Sequence, residues 1–239
     1  MVPKRPRRAA MLDVQSGATE MSYLINLAVE GRLAVVVGAG KIAGRKVSDL
    51  LEAGAEVRVV APDVCAEIEE YASAGRVTLR RIPYSADELA GAFVVVASTD
   101  DEELNARISR DAQSLAILVN VVDRPALCTF TLPAVVRRGD LAIGISTEGR
   151  CPALASVMRE ELERSYGPEY AEVVAIMGEL RREMIARGWT SAAIRDAVQR
   201  LYQSGIGESI KTSGRPAVAA LIHEALGAGF PLPPDIMAS

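Results

Sequence analysis

The sequence predicts an α/β protein in which a doubly wound parallel sheet is followed by a pairing segment and a small helical module. Three observations predict this class. Short runs of Val, Ile and Leu alternate with helical patterns from Arg32 onward, a glycine-rich turn separates the first run from the first helix, and the alternation stops after Pro125. Continuous β-branched runs are typical of parallel strands that are buried on both faces. Right-handed crossovers between such strands give the doubly wound arrangement.

The elements are predicted in order along the chain. The sheet is expected to contain strands at residues 33–37, 56–60, 77–81, 93–97 and 116–119. The helices between them are expected at residues 41–53, 64–74 and 101–114. Residues 134–138 and 141–146 flank an Arg-Gly-Asp turn, which predicts a hairpin apart from the main sheet. Pro152 begins a helix that runs to about Ser165, and further helical segments are expected near residues 169–187, 191–203 and 216–226.

These elements divide the chain into four segments. Residues 1–20 are expected to be a disordered tail, because they lack apolar periodicity and carry the basic residues Lys4, Arg5, Arg7 and Arg8. The segments that follow are a dinucleotide-binding domain at 21–133, a dimerisation segment at 134–166 and a helical C-terminal module at 167–239.

The composition excludes several classes of function. The chain has 239 residues, of which 49% are hydrophobic and 24% charged, as is ordinary for a globular protein with a core. Beyond residue 20 it carries 23 basic and 29 acidic residues, the opposite balance to that of a nucleic-acid binder. The longest apolar runs are about five residues, whereas a membrane span needs about 20. We therefore expect no nucleic-acid partner and no membrane segment.

The use of cysteine and histidine argues against a metal centre. Cys65, Cys128 and Cys151 are widely spaced and form no C-x-x-C pair, which is typical of neither a disulfide framework nor a structural zinc site. The single histidine, His223, lies in an apolar stretch near the C-terminus and is expected to be structural. We expect a reduced, cytoplasmic protein without a metal site.

The glycine-rich turn is the strongest local signal. Residues 38–43 read Gly-Ala-Gly-Lys-Ile-Ala, a G-x-G-x-x-A pattern directly after a strand and at the start of a helix. In Rossmann-type sheets the first glycine permits the tight turn, the second lets the backbone approach a pyrophosphate, and the small third residue allows close helix packing. The N-terminus of the helix adds free N–H groups and partial positive charge. The pattern therefore predicts dinucleotide binding.

An acidic residue that reads the ribose is usual about 20 residues after these glycines. Here Pro62 and Asp63 follow the second strand. Asp63 either accepts a hydrogen bond from a ribose hydroxyl or caps the following helix. Because no basic residue comes directly after this strand, the sequence favours NAD over NADP.

Polar residues also follow the fourth and fifth strands. Thr99 and Asp100 come after the fourth strand, where they line the cofactor crevice, cap the next helix, or do both. Asn120 and Asp123 follow the fifth strand, toward the nicotinamide end of that crevice. A carboxylate there can accept a proton while the nicotinamide accepts a hydride. The other interpretation is that Asp123, which precedes an Arg-Pro pair, is a turn residue.

At this point the sequence resembles the precorrin-2 dehydrogenases, which include free-standing enzymes and the N-terminal half of siroheme synthase. The shared order and spacing comprise Met21–Leu24, Gly31-Arg32, Gly38–Lys46, Leu51–Ala55, Ser98–Asp101 with Asn105, Asn120–Asp123, Pro133, Ile145–Thr147 and Pro152–Ala155. The resemblance covers residues 21–166 well and the helical remainder more loosely. Of these segments, the Arg-Lys pair after the glycine loop, combined with Asn-Val-Val-Asp, is more specific than the glycines alone.

The resemblance implies NAD-dependent oxidation of precorrin-2 to sirohydrochlorin, in some members followed by insertion of ferrous iron to give siroheme. It also implies a homodimer paired through the segment after the nucleotide-binding domain. It assigns the essential aspartate to Asp123 and a neighbouring hydroxyl-bearing turn to Ser146 and Thr147. The cofactor residues that it assigns are Gly38, Gly40, Lys41, Ile42, Pro62 and Asp63, to which the crevice adds Thr99 and Asn120.

Precorrin-2 carries many carboxylates, so an acidic protein needs a local basic patch to bind it. Arg124 is expected to contact the substrate, and the other basic residues in or beside the site segments are Arg45, Lys46, Arg137, Arg138 and Arg150. Glu148 and Cys151 stand where the family often has Gly and Ser, so the rim of the site is expected to differ. We expect no methyltransferase after Ser239. We therefore expect another protein to methylate the substrate.

A second class of function shares part of this pattern. A dinucleotide-sensing regulatory module without catalysis would also have the glycine loop, the pairing helices and no catalytic histidine. Residues 120–123 and 145–155 favour the enzyme. Iron insertion needs a site that takes up pyrrole protons and admits the metal, which Asp123 would provide without a histidine ligand.

Overall fold

The computed structural model describes residues 22–233, and the predicted tail at 1–20 lies outside them. The first part of the chain is a parallel sheet of β1 (Leu33–Val37), β2 (Glu56–Val60), β3 (Val77–Arg80), β4 (Val94–Ala97) and β5 (Leu118–Val121). Its helices are α1 (Lys41–Glu52), α2 (Ala66–Ser73) and α3 (Glu102–Ser114). The strand order is β3-β2-β1-β4-β5. The order reverses between β1 and β4, where such sheets leave a crevice at their carboxyl edge.

Helices cover both faces of the sheet, which is why its strands β1 and β4 are wholly apolar. On one face, Val36 of β1 belongs to a buried cluster with Val47 of α1 and Ile68 of α2. On the other face, Val35 belongs to a cluster with Ile108 of α3. A parallel strand that is buried on both sides needs no polar alternation. The predicted α/β class, with its doubly wound parallel sheet, is confirmed.

The fifth strand begins two residues later than the predicted strand at 116–119. Ala116 has a φ of 56°, and the N–H of Ile117 donates to the carbonyl oxygen of Ala112 at 2.9 Å, so the chain is still turning out of α3 at these positions. A left-handed alanine is uncommon, and nothing in the local sequence signals it. As a result Asn120 lies inside β5, and the prediction that it follows the strand is wrong.

The outer edge of β5 is covered by the chain that follows it. The N–H of Thr129 donates to the carbonyl oxygen of Val119 at 2.8 Å, and the N–H of Val121 donates to Cys128 Sγ at 3.1 Å. Burial raises the pKa of the Cys128 thiol, which stays protonated and donates to the Val121 carbonyl. The covered edge offers few unpaired groups to another strand.

An antiparallel hairpin of β6 (Ala134–Arg138) and β7 (Leu141–Ile145) follows the sheet, as predicted, and leads to α4 (Pro152–Ser165). Arg138 joins the two parts. Its Nε donates to the carbonyl oxygen of Tyr166 at 2.9 Å, and its Nη2 donates to that of Glu163 at 3.2 Å. Carbonyl groups at the end of a helix lack partners within the helix, so this guanidinium satisfies two of them.

The remaining described chain is a helical module with its own core. It consists of α5 (Tyr170–Ala186), α6 (Ser191–Gln203), α7 (Ile206–Thr212) and α8 (Gly214–Leu226), so four helices stand where three segments were predicted. Helix α7 is short and follows α6 after Gly205, at a φ of 80°, which left too little periodicity to predict it. Among residues 22–233, no helix combines the length and apolar character needed to cross a bilayer.

We expect Gly38→Ala to destabilise the fold. Gly38 has a φ of 97°, and a Cβ built on it would lie 2.7 Å from the carbonyl carbon of Ser98, at the end of β4. Left-handed strain and overlap with backbone together should lower the free energy of unfolding by about 3 kcal/mol. Gly75→Ala is the control, since Gly75 also has a positive φ, 67°, but open space around it.

Urea unfolding of both variants checks this expectation. The control should lose about 1 kcal/mol, the cost of the left-handed backbone alone. Equal losses in the two variants would show that the contact between Gly38 and Ser98 does not matter.

Candidate functional site

The loop between β1 and α1 is held between the ends of two neighbouring strands. The N–H of Gly38 donates to the carbonyl oxygen of Val60 at 3.0 Å, and the N–H of Ser98 donates to that of Val37 at 2.8 Å. These bonds place the loop at the reversal between β1 and β4, where ligands bind in doubly wound sheets.

Gly40 leaves an open space at the start of α1. It is the N-cap residue, no side chain of the described residues caps the helix, and its first turn contains no acidic residue. A Cβ built on Gly40 would meet no described atom within 4 Å. The free N–H groups of this turn, with the partial positive charge of the helix end, fit a pyrophosphate. Lys41 and Ile42, the first two helical residues, are exposed beside this space.

Pro62 and Asp63 are exposed after the end of β2. The N-cap residue of α2 is Cys65, and no described side chain caps that helix, so the capping interpretation of Asp63 is wrong. The Cys65 N–H donates to the carbonyl oxygen of Ala39 at 2.9 Å, which holds this connection close to the glycine loop. Within residues 22–233, the Asp63 carboxylate has no hydrogen-bond or ion-pair partner.

Thr99 lies against the glycine loop, with its methyl group 3.2 Å from the position of a Cβ on Gly38. Its hydroxyl donates to Asn105 Oδ1 at 2.9 Å, and Asn105 Nδ2 donates back to the Thr99 carbonyl at 2.8 Å. The cap of α3 is Asp101, which accepts from the Leu104 N–H at 3.0 Å. The interpretation in which Thr99 or Asp100 caps this helix is therefore wrong.

Asn120 is buried in β5, and its amide is used to hold the segment that covers this strand. Asn120 Nδ2 donates to the carbonyl oxygen of Phe130 at 3.1 Å. The side chain therefore has a structural partner, and it supports the end of the strand from which Asp123 follows.

Asp123 is a turn residue, as one of the two interpretations of the sequence predicted. It stands in a tight turn, closed by the Arg124 N–H donating to the Val121 carbonyl at 3.2 Å, and has a φ of 58°. Aspartate tolerates this left-handed conformation better than most residues, although it is strained. The carboxylate is exposed and has no partner within the described chain. The turn thus leaves this carboxylate exposed to solvent.

A groove of about 530 Å³ joins Asp123 to the exposed face of α1. Ile42, Arg45, Lys46 and Asp49 line it at helical spacing, together with Ser48, Glu67, Val122 and Asp123. The Arg-Lys pair that follows the glycine loop therefore faces the same space as the aspartate from the end of β5. The groove begins beside the first turn of α1, next to the open space at Gly40.

Glu67 is a groove residue that the sequence analysis missed. It reaches over α1, where a Cβ built on Gly44 would lie 2.5 Å from Glu67 Oε2. The Tyr71 hydroxyl donates to Glu67 Oε1 at 3.3 Å. A glycine inside a helix costs about 0.5–1 kcal/mol relative to alanine, so Gly44 is the sequence signal that something approaches closely there.

Three predicted substrate residues do not line the groove. Arg124 forms an ion pair with Glu102 at the start of α3. Ser146 Oγ accepts the Glu148 N–H at 3.1 Å, and Thr147 Oγ1 accepts the Cys151 N–H at 3.3 Å, so both hydroxyls shape the turn before α4. The structure brings Asp123 together with Ile42, Arg45 and Lys46, and leaves these three residues outside that space.

Glu148 occupies a backbone position that suits glycine. Its φ is 51°, in the left-handed region that glycine adopts without strain. Hydrogen bonds from Ser22 lower the pKa of the Glu148 carboxyl, which keeps it ionised and attaches residue 22 to the turn. The turn before α4 therefore carries a charged side chain.

The described residues offer no cluster of metal ligands. Between residues 22 and 233, no three His, Cys, Asp or Glu side chains converge in a way that would hold an ion. His223 is on α8, with its Nε2 3.2 Å from the carbonyl oxygen of Phe230, in the structural position that the sequence predicted.

Two family models match the chain. A family described as putative NAD(P)-binding matches residues 25–134, which contain the sheet and the groove. The central part of a sirohaem biosynthesis protein matches residues 138–165, which contain most of the hairpin and α4.

Curated relatives match over most of this chain. The siroheme synthase of Ectopseudomonas mendocina (strain ymp) is 38% identical over 205 residues, 85% of this chain and 44% of that protein. The siroheme synthase of Pseudomonas paraeruginosa (strain DSM 24068 / PA7) is 37% identical over 209 residues, 84% of this chain and 43% of that protein. The chain therefore spans less than half the length of these relatives.

A solved structure matches the same region. SirC, a precorrin-2 dehydrogenase, superposes with a TM-score of 0.65 at 26% identity, over 85% of this chain and 98% of that one. The match to the putative NAD(P)-binding family contains both Gly38 and Asp123. The chain thus carries a putative NAD(P)-binding region and the central segment of a sirohaem biosynthesis protein, and it resembles SirC over nearly the whole of that protein.

Proposed function

We propose that this chain catalyses the NAD-dependent oxidation of precorrin-2 to sirohydrochlorin. One observation carries the proposal: Asp123 shares a groove with Arg45 and Lys46, and that groove begins beside the uncapped first turn of α1. The reaction needs a hydride acceptor, a proton acceptor and cations for the substrate's carboxylates. The likeness to SirC supports the same reaction, since SirC is named a precorrin-2 dehydrogenase.

The glycine loop would hold the cofactor. Gly38, Gly40 and the N–H groups of Lys41 and Ile42 would bind the pyrophosphate, while Pro62 and Asp63 would lie at the adenosine ribose. Bound nicotinamide supplies the hydride acceptor. We favour NAD over NADP because the unpaired Asp63 carboxylate would repel a phosphate on that ribose. Thr99 would close the crevice beside Gly38, and Asn120 would act indirectly, by supporting the end of β5.

Arg45 and Lys46 would orient the substrate. Both side chains face the groove, and guanidinium and ammonium groups bind carboxylates by charge-assisted hydrogen bonds. Ser146 and Thr147 would contact peripheral groups of the tetrapyrrole from the rim. Arg124 would do so only after releasing Glu102, since its guanidinium is already paired.

Asp123 would act as the general base. The oxidation removes two electrons and two hydrogens from the tetrapyrrole: one hydrogen leaves as hydride to the nicotinamide, and the other leaves as a proton. The free carboxylate of Asp123, at the edge of the groove, would accept that proton and pass it to water.

Insertion of ferrous iron into sirohydrochlorin is a second activity that the groove supports. The iron, a substrate here, replaces two pyrrole N–H protons, which need acceptors. Glu67 and Asp123 both line the groove and would take up these protons. The same groove would then serve oxidation first and chelation second.

We further propose that the chain forms a homodimer through residues 134–166. Val135 of β6 and three residues on one face of α4, Leu154, Val157 and Met158, are exposed apolar side chains, with 38%, 49%, 58% and 41% of their surface accessible. Apolar side chains grouped on one helix face mark an interaction surface. A second copy of the same segment would cover them.

A cytoplasmic location agrees with the cysteines. Cys65, Cys128 and Cys151 are all free thiols. Free thiols are typical of a reducing compartment, where disulfides are rare. We therefore propose that the chain acts in the cytoplasm.

Gly40→Val should abolish NAD binding while preserving the fold. The valine side chain would fill the open space beside the first turn of α1 and exclude the pyrophosphate. Calorimetric titration should show at least about a tenfold loss of affinity, equal to about 1.4 kcal/mol. The control is Gly178→Val on α5, which also has open space around it and should bind NAD normally. Unchanged affinity in the Gly40 variant would reject the assignment of the loop.

Asp123→Asn should reduce turnover and leave NAD binding intact. Asparagine has the same shape and also tolerates a positive φ, but it cannot accept the proton. The rate of NADH formation with precorrin-2 should fall by about 10²–10⁴. Asp140→Asn at the exposed hairpin tip is the control. Near-normal turnover of the variant with a lowered melting temperature would favour a role of Asp123 in the turn alone. A wild-type chain that binds NAD but does not oxidise precorrin-2 would favour the dinucleotide-sensing module.

Val157→Asp should produce a monomer. The new carboxylates would be buried against each other at the pairing surface, where an unpaired charge is costly. Sedimentation at micromolar concentration should show a dimer for the wild-type chain and a monomer for the variant. Ile185→Asp on α5 is the matched control, because Ile185 is similarly exposed, at 49%, but lies outside the segment. A monomeric wild-type chain would contradict the proposal.

A further inference from the structure

Two consecutive arginines, Arg80 and Arg81, stand at the end of β3, the strand next to β2. Arg80 is the last residue of β3 and lies opposite Val60 of β2. The Ala61 N–H then donates to the Arg80 carbonyl at 3.1 Å, which continues the pairing past the end of β2. Adjacent strands are about 4.8 Å apart, so Arg81 starts close to Pro62 and Asp63. Basic residues at this place are the usual means of binding the 2′-phosphate of NADP.

Each of these guanidinium groups is already paired with a carboxylate. Arg80 pairs with Glu88 at 3.4 Å, and that carboxylate is mostly buried. Arg81 pairs with Glu69, which is in the first turn of α2. About half of each of these two side chains is exposed, so Arg81 is held by Glu69 rather than enclosed by the fold.

Carboxylates also stand in the segments that follow β2. Asp63 has no partner within the described chain, and Glu67 stands with Glu69 in the first turn of α2. A phosphate on the ribose would add about 1.5–2 negative charges at neutral pH. It would meet Asp63 directly, and the guanidinium that could neutralise it is engaged elsewhere.

We propose that Glu69 is a specificity-determining residue, which excludes NADP by holding Arg81 away from the adenosine ribose. Asp63 reinforces this choice by repulsion. The inference rests on the proposed binding of a dinucleotide at the glycine loop, and it adds that the chain contains a latent 2′-phosphate site that one ion pair disables. Once it is released from Glu69, the Arg81 guanidinium can donate a charge-assisted hydrogen bond to that phosphate.

The test compares the affinities of NAD and NADP by calorimetric titration in four chains: wild type, Glu69→Gln, Glu69→Gln with Arg81→Gln, and Glu70→Gln. Glu69→Gln should strengthen NADP binding by about tenfold and leave NAD binding within about twofold. The added Arg81→Gln should remove that gain. Glu70→Gln removes the same charge from the same helix but leaves the Arg81–Glu69 pair, so it should not change the preference.

Two results would overturn the inference. An unchanged NADP affinity in a Glu69→Gln chain that still binds NAD would show that Arg81 is not the missing partner. A gain that persists after Arg81→Gln, or appears equally in Glu70→Gln, would assign the preference to total charge. Failure of the wild-type chain to bind either dinucleotide would instead reject the proposed function.

Discussion

The nucleotide-binding domain depends on the close approach of the β1–α1 loop to the end of β4, which only a residue without a side chain permits. At Gly38 the backbone of one strand end lies against the Ser98 carbonyl of the other. That contact decides where α1 begins and how it crosses the sheet. The exposed face of α1, with Arg45 and Lys46, then falls opposite the end of β5. The close packing of these two backbone segments thus determines the geometry of the groove.

The parallel sheet was predictable because its cause is visible in the sequence. Strands buried on both faces are apolar at most positions, and β1 and β2 begin and end at the predicted residues. Elements that depend on a single unusual backbone angle were not predictable. Ala116 delays β5, and Gly205 separates α6 from α7, although neither residue type demands that conformation. The choice of Asp101 over Asp100 as the cap of α3 depends likewise on where β4 ends.

In the candidate site, likewise, the sequence predicted individual residues but not the contacts between residues that are far apart in the chain. The sequence identified Gly40 and Asp123 because the chemistry of each is tied to a strand end. It did not reveal that Glu67 reaches the groove or that Glu102 already holds Arg124, because both contacts join residues far apart in the chain. The sequence also did not show that Arg80 and Arg81 are close to the end of β2. That closeness comes from the pairing of β3 with β2, whereas the prediction of NAD used only the residues directly after β2. Side-chain partners across elements are a property of the packed fold.

The guanidinium of Arg138 has a consequence for how the molecule unfolds. It fastens the end of α4 to β6 through two backbone carbonyl groups, so neither element can open without breaking the same charged contact. The hairpin is also close to the helical module, where Ala171 Cβ would lie 3.2 Å from a Cβ on Gly139. Hairpin, α4 and module should therefore exchange their amide protons as one cooperative unit, separate from the five-stranded sheet. The chain is in this sense two foldons joined end to end.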